Sequence, residues 1–264
     1  MTLDDAAALA DGSHRLALGG RRAFVKLRRA RPADFFAAEA RGLAALAATR
    51  SVRVPDVLAV WRHGIALEDL GNGVATPAAW ERAGRGLAAL HRVRRERFGF
   101  EAPGWCGDSP QDNTPDADGF RFFVERRLLP QARRAFDAGL LGRADLERVH
   151  AVCGRLRERL PDRPPVLVHG DLWLGNLHVC GDGGVALIDA GAAHAGWAES
   201  DLAMAILFGE PPGVFFDAYA EAAGIDREWR SRAPLYNLYH LLNHLNLFGA
   251  GYLGAVRSVL AYRA

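Results

Sequence analysis

Asp171, Asn176 and Asp189 stand at a spacing that could serve a hydroxyl acceptor and a divalent cation together. They occur in "VHGDLWLGNLHV…GDGGVALIDAG", where Asp171 follows a strand-like run, Asn176 comes five residues later and Asp189 closes the next hairpin-like stretch. Phosphoryl transfer from ATP needs one carboxylate to orient the acceptor hydroxyl, and oxygen ligands for a Mg²⁺ ion that bridges the phosphates. Asp171 is the candidate for the first task, Asn176 and Asp189 for the second. Each alone reads as a polar turn residue of a structural domain. Flanked by strands and at this spacing, the three together point to transfer chemistry.

A second chemical signal is a solitary ammonium. Lys26, in "RRAFVKL", is the only lysine among 33 cationic residues. A lysine on a strand end is ordinarily a solvated charge. In a chain that otherwise writes its cations as arginine, a retained compact point charge suits phosphate oxygens better than a planar guanidinium fork.

The elements that must position these groups fall into two parts. "HRLAL-GG-RRAFVKL" predicts two strands joined at Gly19–Gly20. Pro32 opens "PADFFAAEARGLAALAA", where Phe35, Ala38, Gly42, Leu43 and Leu46 recur at helical spacing. "VRVPDVLAVW" and "GIALEDL" read as two more strands. After "EDLGNG" the pattern becomes helical: Thr76 caps and Pro77 starts "PAAWERAGRGLAALHRV", "ADLERVHAVCGRLRERL" is a further helix, and the chain closes on "PLYNLYHLLNHLNLFG". The expectation is an α+β, bilobal chain: a small antiparallel-sheet lobe with one helix over 1–67, a hinge at 68–73, and a larger mainly helical lobe over 74–264 that carries the "HGD" and "ID" loops.

Composition narrows the partners. Half of the 264 residues are apolar and the formal net charge is +2, as in a soluble globular protein. Basic residues are interleaved with acids ("RRERFGFE", "RADLERVH"), which argues against nucleic acid. No apolar run approaches membrane-spanning length, and "TLDDAAALADG" is no basic-then-apolar leader, so a cytoplasmic protein with no membrane contact is expected. Cys106, Cys153 and Cys180 lack CxxC spacing and read as reduced thiols without a zinc site.

The H-G-D-x4-N arrangement with a later I-D resembles the catalytic and metal-binding loops of protein-kinase-like phosphotransferases. "FVKL", "FFAAEARGL", "VHGDLWLGN", "ESDLAMAILFG" and above all "LYNLYHLLNHLNLFG" carry a narrower resemblance, to the fructosamine-3-kinase (ketosamine-3-kinase) family, from about residue 12 to 252. The resemblance implies a protein-kinase-like, aminoglycoside-phosphotransferase-like fold. It implies ATP and Mg²⁺ as cofactors, and phosphorylation of the 3-hydroxyl of ketosamines, small or protein-bound, in a deglycation role. It further implies that Lys26 touches the phosphates and pairs with Glu39 on the following helix, and that backbone of Glu68 to Leu70 meets the adenine. Gly12 and Ser13, in the turn "ADGSH", would offer N–H groups to phosphate. Trp173 and His244 would contact the substrate, and His169 and Asp201 would support the catalytic loop. Four stretches depart from the family pattern: Leu174 stands for the usual Ser, Asp189-Ala190-Gly191 for D-P-A, "AHAGWAESD" for an aromatic-rich stretch, and "ADGSH" for a longer glycine-rich turn with a preceding strand.

Other readings accompany these. Asp201, opening "DLAMAILF", has the form of an N-cap. On the last long helix, Leu238, Leu241, Leu242 and Leu245 form one stripe, and Asn237, His240 and His244 another. The i, i+4 pair His240/His244 has zinc-like spacing but no third ligand nearby, so no metal is assigned there. A kinase of another amino alcohol or an aminoglycoside shares the HGD…N…D core, and a non-catalytic nucleotide-binding pseudokinase is the alternative from a different class. A monomer or weak dimer is expected.

Overall fold

The computed structural model describes residues 2–226 and 228–263. A short helix, α1 (Leu3–Ala7), is capped by Thr2. The hairpin of β1 (Gly12–Leu18) and β2 (Arg21–Leu27) turns at Gly19–Gly20, as the sequence predicts. After α2 (Phe35–Ala48), β3 (Val57–Trp61) and β4 (Gly64–Glu68) complete an antiparallel sheet of order β1-β2-β4-β3. Alternation along β2 assigns its two faces. Ala23, Val25 and Leu27 are buried in a small core with Leu9, Leu16, Leu58 and Trp61. Phe24 and Lys26 therefore face the other way, onto a cleft. Helix α2 joins its Phe36, Leu43 and Leu46 to Ile65 and Leu67 of the sheet in the main core. Full burial of side chains of this size contributes about 1.5–3 kcal/mol each.

Residues 69–76 have no regular structure. They are tied to the larger lobe by Gly181 N–H to the Leu70 carbonyl (2.8 Å) and Gly73 N–H to the Val179 carbonyl (3.2 Å). Helix α3 (Pro77–Leu90) then starts on the Thr76 cap, whose hydroxyl accepts from Ala79 N–H at 3.3 Å. A small hairpin follows, β5 (Gly104–Cys106) and β6 (Ser109–Gln111). Next come α4 (Gly119–Phe123), a π-helical turn at Val124–Leu128 and α5 (Leu129–Asp137). The stretch "ADLERVHAVCGRLRERL" divides at Arg155 into α6 (Arg143–Gly154) and α7 (Leu156–Arg159).

The "HGD" region is built from β7 (Val166–Val168), a hairpin of β8 (Leu177–Val179) and β9 (Val185–Leu187), and β10 (His194–Gly196), which pairs with β7. Among the described residues four α-helices follow: α8 (Ala198–Ala205), α9 (Gly213–Ala223), α10 (Trp229–Phe248) and α11 (Leu253–Arg263). Helix α10 corrects two expectations. It begins before Pro234, at Trp229, and it is buried on nearly all sides over its middle, so Asn237, His240 and Asn243 are as enclosed as the leucine stripe. A helix at the centre of a helical lobe has neighbours all round and needs no polar face.

Candidate active site

The sheet, α2 and the β7–β10 loops face one another across a cleft of about 510 Å³, and the sequence-predicted residues Ser13, Lys26, Glu39, Asp171, Trp173, Asn176 and Asp189 all line it. Lys26 Nζ donates to Glu39 Oε1 at 2.7 Å and also to Asp189 Oδ1. Glu39 reaches this point because α2 packs against β3 and β4 on the cleft side of the sheet with Glu39 turned inward, only 6% exposed. A single ammonium thus ties strand, helix and the turn after β9 together.

Asp189 follows Ile188 with φ 60° and ψ 48°, left-handed geometry that is uncommon for a residue other than glycine. The backbone on either side is held: Ile188 N–H donates to the Asn176 carbonyl (3.1 Å), and the Ile188 carbonyl is bonded to His169 Nε2 (2.8 Å). Strain of this kind persists where surrounding contacts over-determine it. Asn176 Nδ2 donates to the Asp171 carbonyl at 2.8 Å, which fixes the amide and leaves its Oδ1 as an acceptor. Carboxylate and amide oxygens in one cleft are the donors a hard divalent cation takes, and the Lys26 ammonium against Asp189 shows that the turn accepts positive charge.

The "HGD" loop is braced from below. Asp201 accepts from His169 N–H (2.7 Å), Gly170 N–H (2.9 Å) and His91 Nε2 (3.2 Å). His91 Nδ1 is bonded in turn to the Tyr219 hydroxyl at 2.8 Å. Burial works against the Asp201 charge, but the His91 hydrogen bond and charge, with His169, hold its carboxyl below the usual value. The N-cap reading of Asp201 is corrected: α8 starts at Ala198 after Trp197, so Asp201 lies inside its first turns. Its carboxylate serves another segment's N–H groups instead. Gly170 has φ 81°, and a β-carbon there would come within 2.2 Å of the Ala192 carbonyl oxygen, so the middle residue of "HGD" has room only as glycine.

Asp171 keeps 19% of its side chain exposed. Burial, with the Asp201 charge as second cause, pushes its carboxyl up to about 7. His240 Nδ1 lies 3.9 Å from Asp171 Oδ1 and 3.9 Å from Cys106 Sγ. Burial lowers His240 to about 3, so the ring is neutral beside the carboxyl.

On the far side of Asp171 opens a second hollow of about 480 Å³, whose walls include Trp173, Phe208, His244, Phe248 and Tyr252. His244 Nδ1 is bonded to the His240 carbonyl at 2.8 Å, its ring lies 4.5 Å from Phe208, and burial lowers its pKa. A smaller hollow of about 100 Å³ lies between Phe24, Leu67 and Glu68 to Leu70 on one side and Ile188 on the other.

The turn expected at Gly12–Ser13 is corrected. Both residues begin β1, opposite Leu27 and Lys26, so they are ladder residues rather than a free loop. Among the described residues the short helix α1 (Leu3–Ala7), and no strand, stands before them. Sequence reasoning leaves Cys106 a plain reduced thiol and His240 a histidine with zinc-like spacing and no partner, and it misses His91 and Gly42. No local signal tells which side chains these four meet. Among the described residues no helix is long and apolar enough to cross a membrane.

Residues 7–262 match the fructosamine kinase family model. A protein of Synechocystis sp., provisionally named a ketoamine kinase, is 38% identical over 255 residues, which covers 92% of this chain and 83% of the relative. A crystal structure from Thermobifida fusca, provisionally named a fructosamine-3-kinase, is 39% identical with a TM-score of 0.89, covering 98% of this chain and 94% of the other. The streptomycin–ATP ternary complex of an aminoglycoside phosphotransferase, APH(2")-IIa, is 12% identical with a TM-score of 0.64, covering 96% and 89% of the two chains, and shares the fold alone. These likenesses bear out the bilobal kinase-like fold and the class of activity, phosphoryl transfer to a hydroxyl group.

Proposed function

The chain belongs to the fructosamine kinase family, and from that membership we propose that it is an ATP- and Mg²⁺-dependent kinase of ketosamines that phosphorylates the sugar 3-hydroxyl. The observation that carries the reading is the junction at Lys26, which binds Glu39 and Asp189 in the cleft that also holds Asp171 and Asn176. The hinge over 68–73 supports adenine in the hollow beside Glu68 and Leu70, with Ser13 and Lys26 toward the phosphates. Asn176 and Asp189 are the residues that would hold Mg²⁺. When bound, it neutralises charge that develops on the phosphate oxygens.

Lys26, drawn to Glu39, withdraws from Asp189 toward the phosphates when nucleotide arrives. Asp171 accepts the proton of the attacking 3-hydroxyl while that oxygen bonds the γ-phosphorus and ADP leaves. A carboxyl near pH 7 is matched to this task, being ionised when the hydroxyl docks yet basic enough to take the proton. Trp173 and His244 supply aromatic walls for the sugar. The second hollow is lined by aromatic and neutral groups with Asp171 as its carboxylate, which favours a singly charged amine over a polycationic aminoglycoside. Phosphorylated ketosamines decompose and free the amine, so the activity fits deglycation of small or protein-bound amines.

The test is ATP turnover with a fructosyl-amine, an aminoglycoside and choline in parallel, with the phosphorylated position read by NMR. Turnover confined to the fructosyl-amine, with phosphate on O3, is expected. Preference for either of the other acceptors, or tight ATP binding without turnover, overturns the assignment.

A further inference from the structure

Cys106 at the end of β5, Asp171 in the loop after β7 and His240 in the middle of α10 converge from three distant parts of the chain. Their Sγ, carboxylate oxygen and ring nitrogen lie within 4.8 Å of one another. Cys106 and Asp171 also line the acceptor hollow, which gives small solutes access. We propose that these three side chains form a site for a thiophilic divalent cation, with Zn²⁺ as the reference ion, and that its occupation switches off transfer by engaging the Asp171 carboxylate. The inhibitory half rests on the role of Asp171 proposed above; the site itself does not.

The donor set and spacing carry the inference. One sulfur, one imidazole nitrogen and one carboxylate oxygen form a zinc-type set, with a hollow to supply water in the fourth position. Bond lengths of about 2.0–2.3 Å to a tetrahedral ion place neighbouring donors roughly 3.3–3.6 Å apart. The Sγ–Nδ1 and Nδ1–Oδ1 separations are both 3.9 Å and close in by a few tenths of an ångström; the Sγ and carboxylate oxygen, which lie within 4.8 Å, close in by up to about 1 Å.

Supporting groups are in place as well. Asn243 Nδ2 donates to the Cys106 carbonyl (3.1 Å) and to its Sγ (3.4 Å), the kind of outer contact that orients a ligand and stabilises a thiolate. Burial, then the Asp171 charge, raises the Cys106 thiol pKa, and the nearby Tyr239, Arg127 and Asn243 offset part of that rise; a bound cation supplies the positive charge that the thiolate needs. As the S–metal bond forms, the thiol proton leaves to solvent, together with the Asp171 proton where that carboxyl is protonated. No electron changes hands. His244, at zinc-like spacing from His240, stands outside the cluster, because the donors that lie within 4.8 Å of one another are those of Cys106, Asp171 and His240. The oxygen pair Asn176/Asp189 suits Mg²⁺, so ligand type separates the two cations.

Cobalt(II) is the probe, added to the full chain without nucleotide. One equivalent should produce a thiolate-to-cobalt charge-transfer band. Cys106→Ser should abolish it, whereas Cys153→Ser, Cys180→Ser and Asp189→Ala should retain it. Under saturating Mg-ATP, Zn²⁺ should inhibit competitively with the sugar, and Cys106→Ser should weaken that inhibition at least tenfold relative to its own uninhibited rate. If Cys106→Ser does not fold, His240→Gln should weaken cobalt binding at least tenfold in its place. Cobalt binding without the band, a band that survives Cys106→Ser, or zinc inhibition unchanged by the variant overturns the site. A cobalt band in a protein that turns over no ketosamine supports the site and refutes the kinase reading instead.

Discussion

Gly42 of α2 lies directly against the carbonyl of Ala190, where a β-carbon would come within 1.8 Å of that oxygen. Gly42 stands three residues after Glu39, on the same helix face. One face of α2 therefore sets both the partner of Lys26 and the seat of the Asp189 turn. In an exposed helix Gly→Ala stabilises by about 1 kcal/mol. Here the neighbour is backbone and cannot swing aside, so Gly42→Ala should cost about 1–3 kcal/mol and lower turnover. Denaturant midpoints and steady-state rates check this, and a stabilised, active variant would refute the contact.

Lys26→Arg keeps the charge but replaces a point donor, held between Glu39 and Asp189, with a wider fork. Turnover should fall strongly and the ATP requirement rise, although the chain uses arginine at every other cationic position. ATP affinity and kcat are the measurements; wild-type values would make the lone lysine an accident of composition.

Asp171→Asn should leave ATP binding nearly intact and lower kcat by something like 10²–10⁴-fold. In the wild type, activity should rise with pH as the carboxyl ionises near 7. The stability sign is opposite. The folded carboxyl holds its proton up to about 7 and the unfolded one releases it near 4, so stability from this group is present at low pH and lost as pH rises between those values. Asp171→Asn should therefore be more heat-stable than wild type at pH 8, with the advantage gone at pH 4. Equal melting temperatures at both pH values would contradict a raised pKa.

Asp201 behaves the other way. Its folded pKa is depressed, so its contribution is present above the unfolded carboxylate value and lost as pH falls through the lower folded one. Asp201→Asn removes the charge that gathers His169 N–H, Gly170 N–H and His91, and should cost about 2–3 kcal/mol at pH 7. Thermal unfolding from pH 3 to 7 should show the gap between variant and wild type narrowing toward acid.

Mild oxidant should leave activity unchanged. Cys106 adjoins Asp171, but burial raises its thiol pKa, with the Asp171 charge as second cause, and Cys153 is raised to about 12 by burial. A protonated thiol reacts slowly. Reversible inactivation restored by thiol would show that Cys106 carries more thiolate than its burial implies.

The spacing of Asp171, Asn176 and Asp189, the solitary Lys26, the Gly19–Gly20 hairpin and the Thr76–Pro77 helix start are all local patterns. Pairing geometry, caps and loop lengths act within a few residues, so the sequence by itself determined the four-stranded sheet, the helices α2, α3, α6 and α10 and the cluster of Lys26, Asp171, Asn176 and Asp189. Three matters belonged to the tertiary structure. Asp201 has the form of a cap, but its carboxylate reaches His169 and Gly170, about 30 residues away. Gly12 and Ser13 have turn chemistry, but Leu27 and Lys26 draw them into a ladder. Cys106 and His240 meet Asp171 only because β5, the β7 loop and α10 pack on one another, across 65 and 69 residues of chain. Contacts of that range depend on which buried faces find each other, and periodicity along a strand or helix carries a record of its own face but none of its partner's.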